Sequence, residues 1–576
     1  MHWIQPICPM KKTLLLFLFS LFMPSGFSQP LYEQTSEVNN LMVRYDADYG
    51  SLHRFYYMDS SPERIERLKT LDQDYLSQLE AMDYNALGTG ARVDYLLFRR
   101  DVQEDLRTLT LEGAELAAVK QWLPFAPYLY EIENLRRRGN QLEWQEVAKK
   151  LTDTGDEIEA ITAKLKAAEP FDQKLTKRAS ASIKGIQEGI KSIHSFYNEY
   201  DPMYTWWVTM PITRVDSLLT VYEKVMTSKA KLITTQKDDG SGIVGSPIGR
   251  DEIIKQLEFE MIPYTPDQLI ELANKEFAWC DAELLKASRE MGFGDDWKTA
   301  QEKVKNSYVP VGQQPEAMME LYNQSMAFLK EHDLVTIPPI AEESWRMTMM
   351  AAERQKVSPF FLGGENFIIS YPTNTMEYDD RMMSMRGNNP HFSRSTVHHE
   401  LIAGHHLQGF MNRRYKTYRH FRTPFWTEGW ALYWELLLWD MDFPRSPEDR
   451  IGMLFWRMHR CARIIFSLNY HMGKWSPQQC IDFLVDRVGH ERANAEGEVR
   501  RSFTGGYGPL YQVAYLTGGL QFYALKKELV DGGQMTLKQY HNAVLHENAM
   551  PVEMVRAILT NQTLPKDFKT TWRFYH

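Results

Sequence analysis

Nine consecutive positions, His398 to His406, hold four of the chain's 16 histidines and one carboxylate, Glu400. Neutral imidazoles are good zinc ligands, and a carboxylate beside a ligand can act as general base on a metal-activated water. The spacing, however, is not the common H-E-x-x-H, in which two ligands stand one turn apart on one helical face. His405 follows His399 by six positions, which on a regular helix is about 240° round and about 9 Å along the axis. The pairs seven apart, His398 with His405 and His399 with His406, share a face but are about 10.5 Å apart in rise. No single ion can be held by either arrangement. Two of these histidines can share a metal only if the helix is bulged or broken between Leu401 and Gly404, and Gly404 is the residue that would permit it.

The run His399-Glu400-Leu401-Ile402-Ala403-Gly404-His405-His406-Leu407-Gln408 resembles H-E-x-x-P-G-H-x-x-Q, the signature of the bacterial domain of unknown function 885 family. Thr427-Glu428-Gly429-Trp430-Ala431-Leu432-Tyr433-Trp434-Glu435 resembles that family's second block, T-E-G-W-A-L-Y-x-E. Members look like distant relatives of the gluzincin metallopeptidases. The resemblance implies a mainly α, multi-helix, single-cleft fold with a minor β element near the site. It also implies one zinc ion held by His399, His405 and Glu428, with Glu400 as catalytic base. Ala403 departs from the pattern: the family has proline there, which would itself break a helix, so here the break rests on Gly404.

Glu428 is also legible from its own surroundings. With Thr427 as N-cap of a helix running to about Asp440, Glu428, Leu432 and Glu435 share one face. Glu435 would then stand behind the site and orient a ligand histidine. A hydrolytic site also needs donors for a developing oxyanion. Tyr507, Tyr511 and Tyr515 recur at four-residue spacing, and Tyr515 is similar to the tyrosine in the family's P-G-Q-x-x-x-Y-x-x-G. Arg501 matches a family arginine and could bind a substrate carboxylate bidentately.

The elements that must position these groups read as helices. Val147, Leu151, Ile158, Ile161 and Leu165 lie on one face within a charged background. Similar periodicity recurs near 61–82, 172–198, 213–235, 266–291, 314–332, 447–472, 477–489 and 511–530. Phe367-Ile368-Ile369-Ser370-Tyr371 is β-like; by the gluzincin resemblance this would be an edge strand open to substrate backbone. Lys237 to Gly242 reads as a loop, and Ile337-Pro338-Pro339-Ile340 separates an amino-terminal helical half, 29–335, from a catalytic half, 336–576.

Lys11, Lys12, the apolar run Leu14 to Met23 and the small residues Gly26 and Ser28 resemble a secretory signal over residues 1–28. The run is too short to span a bilayer, so an exported chain, periplasmic or secreted, with no stable membrane insertion is expected. Cys8 precedes the run, which argues against a lipid anchor. Cys280, Cys461 and Cys480 are too few for a disulfide framework, though a Cys461–Cys480 bridge is open. A formal charge of −9 without basic runs excludes nucleic acid as a partner. The resulting expectation is an exported zinc peptidase acting on short peptides. Two competitors are a metal-dependent amidase on a non-peptide amide and a non-catalytic ligand-binding protein built on an unbroken histidine helix.

Overall fold

Helices dominate the chain because its sequence repeatedly supplies both a cap and a start. Ser61, Asp201, Thr265, Asn389, Thr423, Ser446 and Ser476 each precede a proline, and each side chain accepts a hydrogen bond from the first turn of the helix that follows. Proline at the first helical position has no N–H to orphan, and each cap is worth about 1 kcal/mol. The computed structural model describes residues 36–575 apart from 235, 356, 357, 359 and 371. The expected signal segment and Tyr371 therefore lie outside the described residues.

The periodic segments form helices close to their expected bounds, among them Pro62–Glu80, Gln173–Tyr197, Pro266–Glu290, Gln314–Glu331 and Pro447–His471. Two end differently: Pro477–Phe483 and Tyr511–Lys526 each continue into a five-residue π-helical turn. Among the described residues no helix is long and apolar enough to cross a membrane. Only two short parallel strand pairs occur there, one of them Arg346–Met349 with Asn366–Ile369.

Two expectations need correction. Cys461 and Cys480 are free and buried, as is Cys280, so the bridge is absent; the Cys461 thiol faces Cys280 instead. The strand Asn366–Ile369 is not an open edge, because Leu362 pairs with Ile368 on its outer side through two N–H to O bonds of 2.8 and 3.0 Å. The Gly363-Gly364 turn, with Gly364 at φ +111°, folds the preceding segment back over the strand.

Three apolar cores support these elements. One fills the amino-terminal bundle between Ile65 and Met226. A second runs from Ile243 to Phe574, and the third combines Val38 to Met326 with Phe361, Val397, Leu407 and Trp430. The Pro424–Asp440 helix lies on the seam between the last two. Trp426, Trp430, Tyr433 and Trp434 are fully buried, each aromatic removing about 150–250 Å² from water. This helix is apolar on every side, so its two glutamates have no solvated face to retreat to.

Candidate metal centre

The histidine segment is two helices. Pro390–Glu400 starts on an Asn389 cap and ends at Glu400; His405–Asn412 begins after a four-residue break. The Ile402–Ala403 peptide bond is cis. The break is held from both sides. Gly404 N–H donates to His398 O at 3.0 Å, His406 N–H donates to Leu401 O at 3.1 Å, and Trp430 Nε1 donates to Ala403 O at 2.9 Å. Gly404 is needed for close approach rather than for a left-handed φ, which is −82° here: a Cβ would stand 1.9 Å from His399 O. The unbroken helix required by the non-catalytic competitor does not form.

Breaking the chain there turns His405 back beside His399. Their rings lie 4.8 Å apart at 87°. Glu428 reaches both: its Oε2 is 3.3 Å from His405 Nε2 and 3.7 Å from His399 Nε2. Donor atoms of the three residues all lie within 4.8 Å of one another. Ligands at 2.0–2.1 Å from one tetrahedral ion stand about 3.3–3.4 Å apart, so the two Glu428 edges fit zinc with little movement. Glu428 Oε2 is a buried oxygen without a hydrogen-bond donor, which is costly unless a cation completes it. Among the described residues no other group of three such side chains converges in this way.

Glu428 is presented by close helix packing. A Cβ on Gly429 would stand 2.6 Å from Gly518, and one on Gly518 would stand 2.2 Å from Phe425 O. The Pro424–Asp440 and Tyr511–Lys526 helices thus touch backbone to backbone, which brings Tyr511 to Glu428, and the Tyr511 hydroxyl donates to Glu428 Oε1. The N-cap of the Glu428 helix is Thr423, not Thr427; the Thr423-Pro424 pair starts the helix one turn earlier and leaves Thr427 inside it. Glu428, Leu432 and Glu435 still share a face, and Glu435 Oε1 accepts from His399 Nδ1 at 2.6 Å. That bond fixes the tautomer with Nε2 free for a metal.

Electrostatics favour charge on His399 and Glu428. Burial opposes the charged form of His399, but the close Glu428 carboxylate and the hydrogen bond to Glu435 push it up to about 9 in the absence of metal. Burial would likewise raise Glu428, yet His405 and His399 hold it well below the usual carboxylate range. Glu400 is half-buried and lines the same cleft; burial raises its carboxyl, partly offset by His399 and His405. A side chain that binds protons more readily than an ordinary glutamate suits a general base.

The cleft, of about 520 Å³, is also lined by Tyr515, Arg501, Arg460, Arg463, Tyr507 and Tyr511. Tyr515 stacks on His399 with ring centres 6.3 Å apart, and the Arg460 and Arg463 guanidiniums stand 4.8 and 4.3 Å from its ring centre. Arg501 Nε donates to Glu498 Oε2 at 2.7 Å. The two outer histidines do not join the triad: His406 Nε2 bonds Ala341 O at 2.7 Å, and His398 packs edge-on against Phe443. Arg460, Arg463 and Glu498 do not stand out in the sequence, whereas Tyr511, one of the three tyrosines at four-residue spacing, meets Glu428. The available signal was a pair of arginines three apart inside a helix otherwise built for burial.

Replacing Glu435 with Gln is expected to weaken zinc binding about 10- to 100-fold without unfolding the chain. Titration against a chromophoric chelator measures it. An unchanged affinity would mean that Glu435 serves Arg460, to which it also bonds at 3.2 Å, and not the ligand.

The profile of the family described as "Bacterial protein of unknown function (DUF885)" matches residues 49–559, and the chain belongs to that family. Among solved structures, a "putative lipoprotein of unknown function" from Shewanella oneidensis is similar, at 15% identity and a TM-score of 0.63, over 91% of this chain and 100% of that one. A "putative lipoprotein" from Colwellia psychrerythraea is similar at 15% identity and a TM-score of 0.55, over 91% of this chain and 98% of that one. At this identity the likeness is one of fold alone. No curated protein matches the chain.

Proposed function

We propose that this protein is an exported zinc-dependent peptidase acting on short peptides, with a site of the gluzincin kind. The observation that carries the reading is the convergence of His399, His405 and Glu428 around a buried carboxylate oxygen that has no donor, beside a second carboxylate in the same cleft. Zinc, when bound, acts as a Lewis acid on the scissile carbonyl and lowers the pKa of water. Glu400 takes the proton of the attacking water and returns it to the leaving amine. Tyr515 donates its hydroxyl proton in a hydrogen bond to the developing oxyanion. Burial and the Glu428 charge raise the Tyr515 hydroxyl above its ordinary range, the two guanidiniums over its ring offsetting only part of this, so the hydroxyl keeps its proton for that donation. The secretory-like segment ending near Ser28, together with lipoprotein names among the similar structures, supports export.

The test is incubation of the zinc-loaded chain with a panel of unstructured peptides, read by mass spectrometry. Cleavage that a chelator abolishes and added zinc restores is expected. A fully loaded chain that leaves every peptide intact would overturn the reading.

A further inference from the structure

The Pro447–His471 helix is buried along almost its whole length, yet it carries arginines at 460 and 463. They are 4% and 2% exposed, one turn apart on the face that lines the metal cleft. Arg501, from the Arg492–Thr504 helix, joins them on the same wall. Charges of this kind are kept in a protein interior only where something compensates them.

The compensation inside the chain is incomplete. Glu498, itself fully buried, accepts from Arg463 Nε at 2.6 Å and from Arg501 Nε at 2.7 Å. Glu435 Oε1 is shared by His399 Nδ1 and Arg460 Nη2. Two carboxylates therefore serve three guanidiniums and an imidazole. The deficit also shows atom by atom: Arg463 Nη1 and Arg460 Nε are buried donors without an acceptor. A wall of three guanidiniums with unfilled donors is suited to receive an anion. Guanidinium groups, with their planar forks, match a carboxylate in particular.

The arginines also have a direction. A larger cleft of about 1540 Å³ adjoins the metal cleft, and Gly409, Asn412, Thr427 and Tyr511 line both. Arg460, Arg463 and Arg501 line only the smaller one. A chain lying across the triad with its bulk in the roomier cleft would bring its end, not its middle, to the arginines.

We propose that Arg460, Arg463 and Arg501 form a subsite for the free α-carboxylate of a peptide, so that the enzyme trims peptides from the carboxyl end. The inference rests on the peptidase reading for the trimming, while the carboxylate site stands on the arginines alone. A free carboxylate fills donors that an amide cannot, so the two forms of one peptide should separate by about tenfold or more, as expected for a charged hydrogen-bonded pair.

The test uses one N-acetylated peptide in two forms, carboxyl-terminal acid and amide. Binding to the metal-stripped chain is measured by calorimetry, and cleavage by the zinc-loaded chain is measured by mass spectrometry. The expected results are about tenfold or tighter binding of the acid, cleavage of the acid near its carboxyl end, and loss of the preference in Arg501→Ala and Arg463→Met. If a variant fails to fold, as Arg463→Met could by stranding Glu498, the acid-to-amide ratio of the unaltered chain still decides. Equal binding of the two forms, or no binding of either, overturns the subsite, even if both peptides are cleaved. A preference for the acid without any cleavage keeps the subsite and removes the peptidase reading.

Discussion

Glu400→Gln is expected to keep its zinc and to lose about 10²- to 10⁴-fold in kcat, the range that a positioned general base contributes. The substitution is close to isosteric, which matters because the surroundings of Glu400 are tight. Gly363 passes so close that a Cβ there would stand 2.3 Å from Glu400 Oε2, and Gly364 N–H donates to Glu400 O at 3.3 Å. An amide fits that space but cannot accept a proton from water. Glu400 is not among the three converging ligands, so metal content and unfolding midpoint should match the unaltered chain. Turnover of a test peptide at the unaltered rate would remove Glu400 from the mechanism, whatever the metal does.

Gly404→Ala is expected to damage both the fold and the metal centre. Its Cβ would stand 1.9 Å from His399 O and 2.5 Å from His398 O, both of them backbone atoms with no rotamer to change. Relief requires moving the break itself, and the break is what brings His405 to His399. A destabilisation of about 3 kcal/mol, the upper end for overpacking, is expected in denaturant unfolding, together with loss of stoichiometric zinc. Native-like stability with full zinc in this variant would mean that the two helices can meet by another path, and the assignment of the break to Gly404 would fall.

The break was legible because ligand spacing on a helix is arithmetic: residues six apart cannot share an ion on a regular turn. What Gly404 does there was not legible, since the need is for contact with a carbonyl five residues back and not for a special φ. Glu428 and Glu435 were placed on one face from spacing alone, although the start of their helix was set one turn late by passing over Thr423-Pro424. The 31-residue helix Thr89–Val119 carried no steady period, because its buried positions crowd between Ala91 and Val102 and then thin out. Tyr511, Arg460 and Arg463 reach the cleft, and the buried Glu498 reaches Arg463, through helix pairings that a single sequence does not declare. Their contacts span 14 to 83 positions, so only the packed structure brings them together. The strand near Ile368 was found, but its covered outer side depends on a glycine turn whose fold-back is a tertiary choice.

The peptidase reading depends on a metal at His399, His405 and Glu428. Elemental analysis of the purified chain beside a His405→Ala variant of matched folded content tests that most directly. About one zinc per chain in the unaltered protein, lost in the variant, is the predicted result. No bound metal in the unaltered chain after equilibration with zinc, or equal zinc in both proteins, would contradict it.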